Sequence, residues 1–180
     1  MTFESIVRKW CQTYRPILDS PKNRRFFFTD SKENMIEMAK NWTPEMSPCV
    51  VMECVAEGDG KIERMSMNYP IYFFVRAEKQ KDGDSAALAV REALEHMKDF
   101  LSWLRDRRNK ELDEGRRDGD FARIELDNAF LSIMTIGPIQ DGWYAELLQI
   151  DREEPLNLCV NEDLYIDEDC DDGSPSHECP

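Results

Sequence analysis

Apolar residues recur every three or four positions in two long stretches and alternate in several short ones. Phe3, Ile6, Val7, Trp10, Cys11, Tyr14, Ile17 and Leu18 share one helical face, which predicts an amphipathic helix over roughly residues 3–15. Pro16 should kink or end it, because proline has no amide proton and clashes with the preceding turn. Residues 24–29, "RRFFFT", read as a short aromatic strand. In "DSKE", Asp30 can cap a short helix running to about Asn41, with Glu33 reaching back to the cap and Met35, Ile36, Ala39 and Trp42 inward.

Cys49–Ala56 is an apolar run broken only by Glu53 and reads as a buried strand. "EGDGK", residues 57–61, reads as a turn. Strict alternation follows. Met65, Met67, Tyr69, Ile71, Phe73, Val75 and Ala77 share one face, and Ser66, Asn68, Pro70, Tyr72, Phe74, Arg76 and Glu78 the other. Pro70 cannot donate to a ladder, so the strand should be an edge there or carry a bulge. Tyr72 and Phe74 on the second face imply cover on both sides of that half.

The longest helix is predicted over about residues 86–109, capped by Asp84 or Ser85. It carries two neighbouring apolar stripes. One is Ala87, Val90, Leu94, Met97, Leu101 and Leu104; the other is Ala89, Ala93, His96, Phe100 and Trp103. A face that wide suits a helix lying across a sheet. Residues 105–120 are charged, with glycines at 115 and 119, and read as a mobile loop beyond the helix end. Ile124 and Leu126 begin a strand, Asp127-Asn128 bends it, and Phe130–Ile136 continues it. A hairpin through "GPIQDG" leads to a last strand from Trp143 to about Ile150. Strand pairs joined by short turns, with helices between them, predict a single α+β domain over residues 1–160: a mostly antiparallel sheet with the long helix and the N-terminal helix packed on it.

Charge is unevenly spread. The net charge is −14, and residues 161–180 hold eight acids without a Lys or Arg, as an acidic disordered tail would. So negative a chain argues against a general nucleic-acid binder. Arg105, Arg107, Arg108, Lys110, Arg116 and Arg117 form a local basic run, but Asp106, Glu111, Asp113 and Glu114 interrupt it and nearly neutralise it. No stretch has the apolar length of a membrane span, and "MTFESIVRKWCQTYRPILDS" does not read as a signal peptide, so a cytoplasmic start is expected.

The residues offer little catalytic chemistry. The two histidines are His96, on an apolar stripe, and His177. The six cysteines lack the spacing of a disulfide framework, and Cys49 and Cys54 should face opposite ways along a strand. Phosphate loops and dinucleotide fingerprints are absent. Asp167, Asp169, Asp171 and Glu178 fall at positions 1, 3, 5 and 12 of a calcium loop, but Asp172 stands where the turn needs glycine. Acid pairs such as Glu53/Glu57 or Asp118/Asp120 are expected by chance in so acidic a chain. No catalytic residue, metal ligand, cofactor or small-molecule substrate is assigned on these grounds. Large side chains at the hairpin tip, Ile139, Trp143 and Tyr144, are candidate contact residues, meeting either the long helix or a neighbouring subunit.

The order of "SPCVVMECVAEGDGK", "MNYPIYFFVRAEKQKDGDSAALAVREALEHMKDFLSWL" and "IELDNAFLSIMTIGPIQDGWYAELLQIDRE" resembles the tail-terminator and tail-completion proteins of tailed phages and related contractile particles. It covers roughly residues 1–152 and rests on element order, with Pro48, the strand-to-helix join near Asp84 and the final hairpin as its markers; the short helix near 31–41 and the acidic tail depart from it. The resemblance implies a non-enzymatic virion protein that forms a ring, typically hexameric, and joins tail-tube or neck proteins. It implies residence in the host cytoplasm during assembly and in the tail or neck afterwards. Arg105, Arg107 and Arg108 join Ile139, Trp143 and Tyr144 as expected subunit contacts, with no nucleic acid or membrane partner. A different class, a small acidic immunity-type inhibitor that masks a basic target, is the alternative that the net charge supports.

Overall fold

The computed structural model describes residues 1–54, 57–61, 64–126, 133–139 and 142–155. The acidic segment 161–180 with its calcium-like spacing, the Asp127-Asn128 bend and the Gln140-Asp141 turn lie outside these residues. The described elements are α1 (Phe3–Thr13), β1 (Phe26–Thr29), α2 (Lys32–Ala39), β2 (Cys49–Glu53), β3 (Glu57–Lys61), β4 (Arg64–Arg76), α3 (Gly83–Asp113), β5 (Ile124–Glu125), β6 (Ile133–Ile139) and β7 (Trp143–Pro155). The seven strands form one mostly antiparallel sheet, and the domain is α+β. No helix among the described residues is long and apolar enough to cross a membrane.

Two long strands organise the sheet. β4 and β7 pair antiparallel without a slip from Arg64↔Pro155 to Arg76↔Trp143. Along the far side of β4, β3 pairs with its first part and β2 with its second; β1 adds parallel to β2. Along the far side of β7, β6 pairs with its first part and β5 with Asp151 and Arg152. Pro70 sits inside this long strand, with no bulge in its pairing to β7. Amides alternate sides along a strand. That of Arg76, in phase with Pro70, donates to Ser47 Oγ on the β2 side, whereas that of Ala77 donates to Gly142 O on the β7 side. The donor that Pro70 lacks would therefore point between the end of β2 and the start of β3, where the described strands place no acceptor.

The phase of each strand sorts the core into two layers. Phe26, Val50, Met52, Ile71, Phe73, Leu148 and Ile150 face α1 and α3, where Phe3, Ile6, Val7, Trp10, Met97, Phe100 and Leu104 close over them. Phe27, Cys49, Val51, Tyr72, Phe74, Trp143, Ala145 and Leu147 face the other way, against Met35 and Ala39 of α2 and Trp42.

Several local expectations change. "EGDGK" is not a turn but strand β3, because the overhanging half of β4 offers a ladder that its glycines and charges would not form alone. The cap of α2 is Ser31, whose hydroxyl accepts from Asn34 N (3.2 Å), while Asp30 accepts from the Asn34 side chain. Asp82 caps α3, accepting from Ser85 N (2.9 Å). Of the two stripes on α3, the second is the buried one. Ala89, Ala93, His96 and Phe100 are inside together with Met97 and Leu104, whereas Ala87 is exposed. The small Ala89 and Ala93 sit against Val75 and Ala77. Residues 105–120 are not a free loop. α3 continues to Asp113, and the buried Glu111 carboxylate accepts from Phe121 N (2.8 Å) and Ala122 N (2.9 Å), which ties the following turn back to the helix. The last strand runs on to Pro155, so the expected end near Ile150 was too early.

Candidate functional site

The hairpin that joins β6 to β7 splits its large residues between the two faces. Trp143 is fully buried, in the layer that faces α2 and not the long helix. Its ring meets Trp42 edge-on at 5.1 Å, and Trp42 meets Phe74 in the same way at 5.0 Å. Ile139 pairs with Trp143 across the hairpin and packs on the same layer. Tyr144 points to the opposite face and packs on Val75, Ala77, Ala89 and Ala93, so it meets the long helix. Gly137 has φ +143°, and a Cβ there would come within 2.7 Å of Tyr144 Cδ1. Glycine thus lets the register shift between Ile136 and Ile139 pass beside the Tyr144 ring.

Beyond the aromatic cluster the α2 face opens. Met134 lies opposite Leu147 and is 53% exposed. Pro70, Leu147 and Gln149 line a cleft of about 380 Å³ whose far wall is Asp30, Ser31 and Lys32 at the start of α2. Tyr72 also lines it and donates its hydroxyl to Glu53. Burial first, and the Glu53 carboxylate second, push the Tyr72 phenol well up, so it remains a proton donor. Asn68 donates to Asp151 at 2.7 Å at the far end of the same strip.

The three arginines of the basic run do not act together. Arg107 covers the Trp103 ring at 5.8 Å. Arg105 lines a shallow cleft with Leu101 and Leu126. Arg108 is half-buried and lines a different cleft with Arg117 and Arg123. Arg116 pairs instead with Glu114 at 2.6 Å and approaches Glu111 at 3.8 Å.

Two polar networks on the sealed side went unread in the sequence. At one end Tyr14 donates to Asp99 (2.5 Å), so its hydroxyl oxygen is left to accept from His96 Nδ1 (3.0 Å). His96 Nε2 lies 3.5 Å from Glu92. Burial lowers the His96 pKa, and Glu92 opposes the shift. At the other end Arg152, buried on the inward phase of β7, donates to Glu154 (2.6 Å) and Met1 O (3.0 Å) and lies 3.4 Å from Asp120. The terminal amine of Met1 also reaches Asp120, at 2.7 Å, and Tyr69 donates to Glu154 at 3.1 Å. These bonds pin the start of α1 to the end of β7. The inward Arg152–Glu154 spacing would have been legible had the strand been carried past Ile150. Glu146 is buried as well and accepts from Thr135 at 2.7 Å. Among the described residues no group of three or more His, Cys, Asp or Glu is placed to hold a metal ion.

No protein-family model matches the chain, and no curated protein matches it significantly.

Proposed function

We propose that the chain is a structural protein that works as a repeated subunit, forming a ring that terminates a tail tube or joins tail to head in a phage-like particle. The observation that carries this reading is the strip of sheet left open on the α2 face. β4 and β7 each have 13 residues, which is about 43 Å of strand. α3 has 31 residues, about 46 Å of helix, and spans that length on one face. α2 has eight residues, about 12 Å, and covers a fraction of the other. Met134 is exposed there beside the half-buried Pro70 and Gln149, and among the described residues β6 pairs only with β7. An apolar strip beside an edge strand is a surface that a second copy of the chain can cover. The order of helix, strands, long helix and closing hairpin agrees with the same reading.

Sedimentation velocity and negative-stain microscopy of the full chain test it. The expected result is a closed multimer that Met134→Asp dissociates while the circular dichroism stays unchanged. A chain that remains monomeric with tail-tube protein added overturns the proposal. An acidic inhibitor that masks a basic target draws support from the eight acids in residues 161–180. It predicts instead a monomer whose binding to a basic partner weakens steeply with salt.

A further inference from the structure

The junction between the end of α1 and the middle of α3 holds four titratable side chains in a row. Tyr14, the C-terminal cap of α1, donates its hydroxyl to Asp99 at 2.5 Å and lies 3.0 Å from His96 Nδ1. The two rings meet edge-on at 5.7 Å, which holds the plane of the imidazole. On the other side of that ring, His96 Nε2 lies 3.5 Å from Glu92 Oε1. His96 is 8% exposed, and its Nε2 is a buried nitrogen with no hydrogen-bond partner.

Counting protons fixes the tautomer. A phenol has one proton, and Tyr14 gives it to Asp99. Its oxygen can then only accept from the ring, so Nδ1 carries the proton of the neutral imidazole. Nε2 is left with a bare lone pair. The group it faces, the Glu92 carboxylate, is itself an acceptor, which is why no bond joins them. One added proton reverses this. In the imidazolium, Nε2 becomes a donor to Glu92, and the bond from Nδ1 to Tyr14 becomes charge-assisted. The Glu92 side chain is 54% exposed, so its carboxylate has room to swing inward. The groups that act on the ring are Tyr14 from α1 and, from α3, Glu92, Asp99 and Glu95. Burial outweighs the carboxylates and favours the neutral ring, so the junction rests unprotonated and responds as pH falls.

We propose that Glu92, His96, Tyr14 and Asp99 form a proton-operated latch between α3 and the end of α1: neutral His96 holds Tyr14 through Nδ1 alone, and a proton taken from solvent at Nε2 recruits Glu92 and closes the chain from Glu92 to Asp99. The latch lies within one subunit, so its outcome is separate from that of the ring.

Nitrogen-15 NMR of the full chain labelled at histidine reads both ring nitrogens against pH, with His177→Asn to assign the second ring. At neutral pH the His96 signals should show a protonated Nδ1 and a bare Nε2. In acid an Nε2 proton should appear that exchanges slowly with water. Tyr14→Phe removes the acceptor beside Nδ1, so the proton of the neutral ring should move to Nε2, where Glu92 accepts it. Glu92→Ala removes a negative charge and should lower the pH at which His96 titrates. Glu92→Gln should lower it further, because its amide can donate to the bare Nε2 and hold the ring neutral. Glu92 is exposed, so these two variants and the unaltered chain decide the matter even if Tyr14→Phe unfolds. A proton on Nε2 of the unaltered chain at neutral pH, or a titration that neither Glu92 substitution lowers, overturns the proposal.

Discussion

The two faces of the sheet use the same kinds of residue and end in opposite states. On the α1/α3 face the rings pack in one buried layer: Phe3 on Tyr69 at 4.7 Å, Trp10 on Tyr14 at 4.4 Å, Trp10 on Phe100 at 5.0 Å, and Trp103 on Phe121 at 5.5 Å. That layer finishes in polar networks at both ends. On the α2 face, Phe27, Trp42, Phe74 and Trp143 make an equally dry cluster. It stops where α2 stops, and Met134 is in solvent only a few residues away. The amount of apolar residue is not what differs; the length of helix available to cover it is. On the proposed reading, one face serves folding and the other serves contact with a neighbour.

The largest expected effect tests whether the hairpin tip belongs to the core. Trp143→Ala should lower the unfolding free energy by about 3–5 kcal/mol in urea titrations, because the indole is fully enclosed. A variant with unchanged stability and lost assembly would return Trp143 to the contact surface. Next comes Glu111→Ala, which strands two backbone amides, one of them buried. A loss of about 1–3 kcal/mol is expected. Glu111→Gln, which keeps one accepting oxygen, should recover part of it. Equal losses in the two variants would mean that the carboxylate charge, and not the bonds, holds the turn.

A smaller effect belongs to His96 on the sealed face. Its pKa is lowered in the folded chain from an ordinary value of 6.5, chiefly by burial. The unfolded chain therefore takes up the proton first as pH falls. The His96 contribution to stability is fully present above 6.5 and is lost as pH drops through the lowered folded value. Tyr14, Glu92, Glu95 and Asp99 face the ring, and the three carboxylates oppose the shift. His96→Gln should flatten the acid limb of the stability-against-pH curve measured by urea titration. A curve of unchanged slope would show that these carboxylates cancel the burial. The smallest stability change, within about 0.5 kcal/mol, is expected for Met134→Asp on the open face. If it cost as much as Trp143→Ala, the contrast between the faces would collapse.

Much of the fold could be read from pattern. The three- and four-residue spacing in 3–18 and along α3, and the two-residue alternation of β4, identify the elements and their phases. The errors have physical causes. β3 has the composition of a turn and exists because half of β4 would otherwise lack a partner. The stripes of α3 are both apolar, and close approach at Ala89 and Ala93 chose between them. Tryptophan beside a Gly-rich turn looks exposed in sequence, yet Trp143 is enclosed by Trp42, about one hundred residues earlier. The basic run was visible as a charge count, but Arg123 lies outside it and joins Arg108 and Arg117 only through the turn that Glu111 holds.

The sequence by itself determined the α+β class, the amphipathic faces, the strand phases and the acidic balance, because these follow from local periodicity and residue chemistry. Tertiary structure alone decided which stripe is buried, that Trp143 is core and Met134 is not, that Arg152 closes a network with Met1, and that three arginines meet. Each of those depends on which distant segments share space, and on helices whose lengths match or fall short of the sheet they cover.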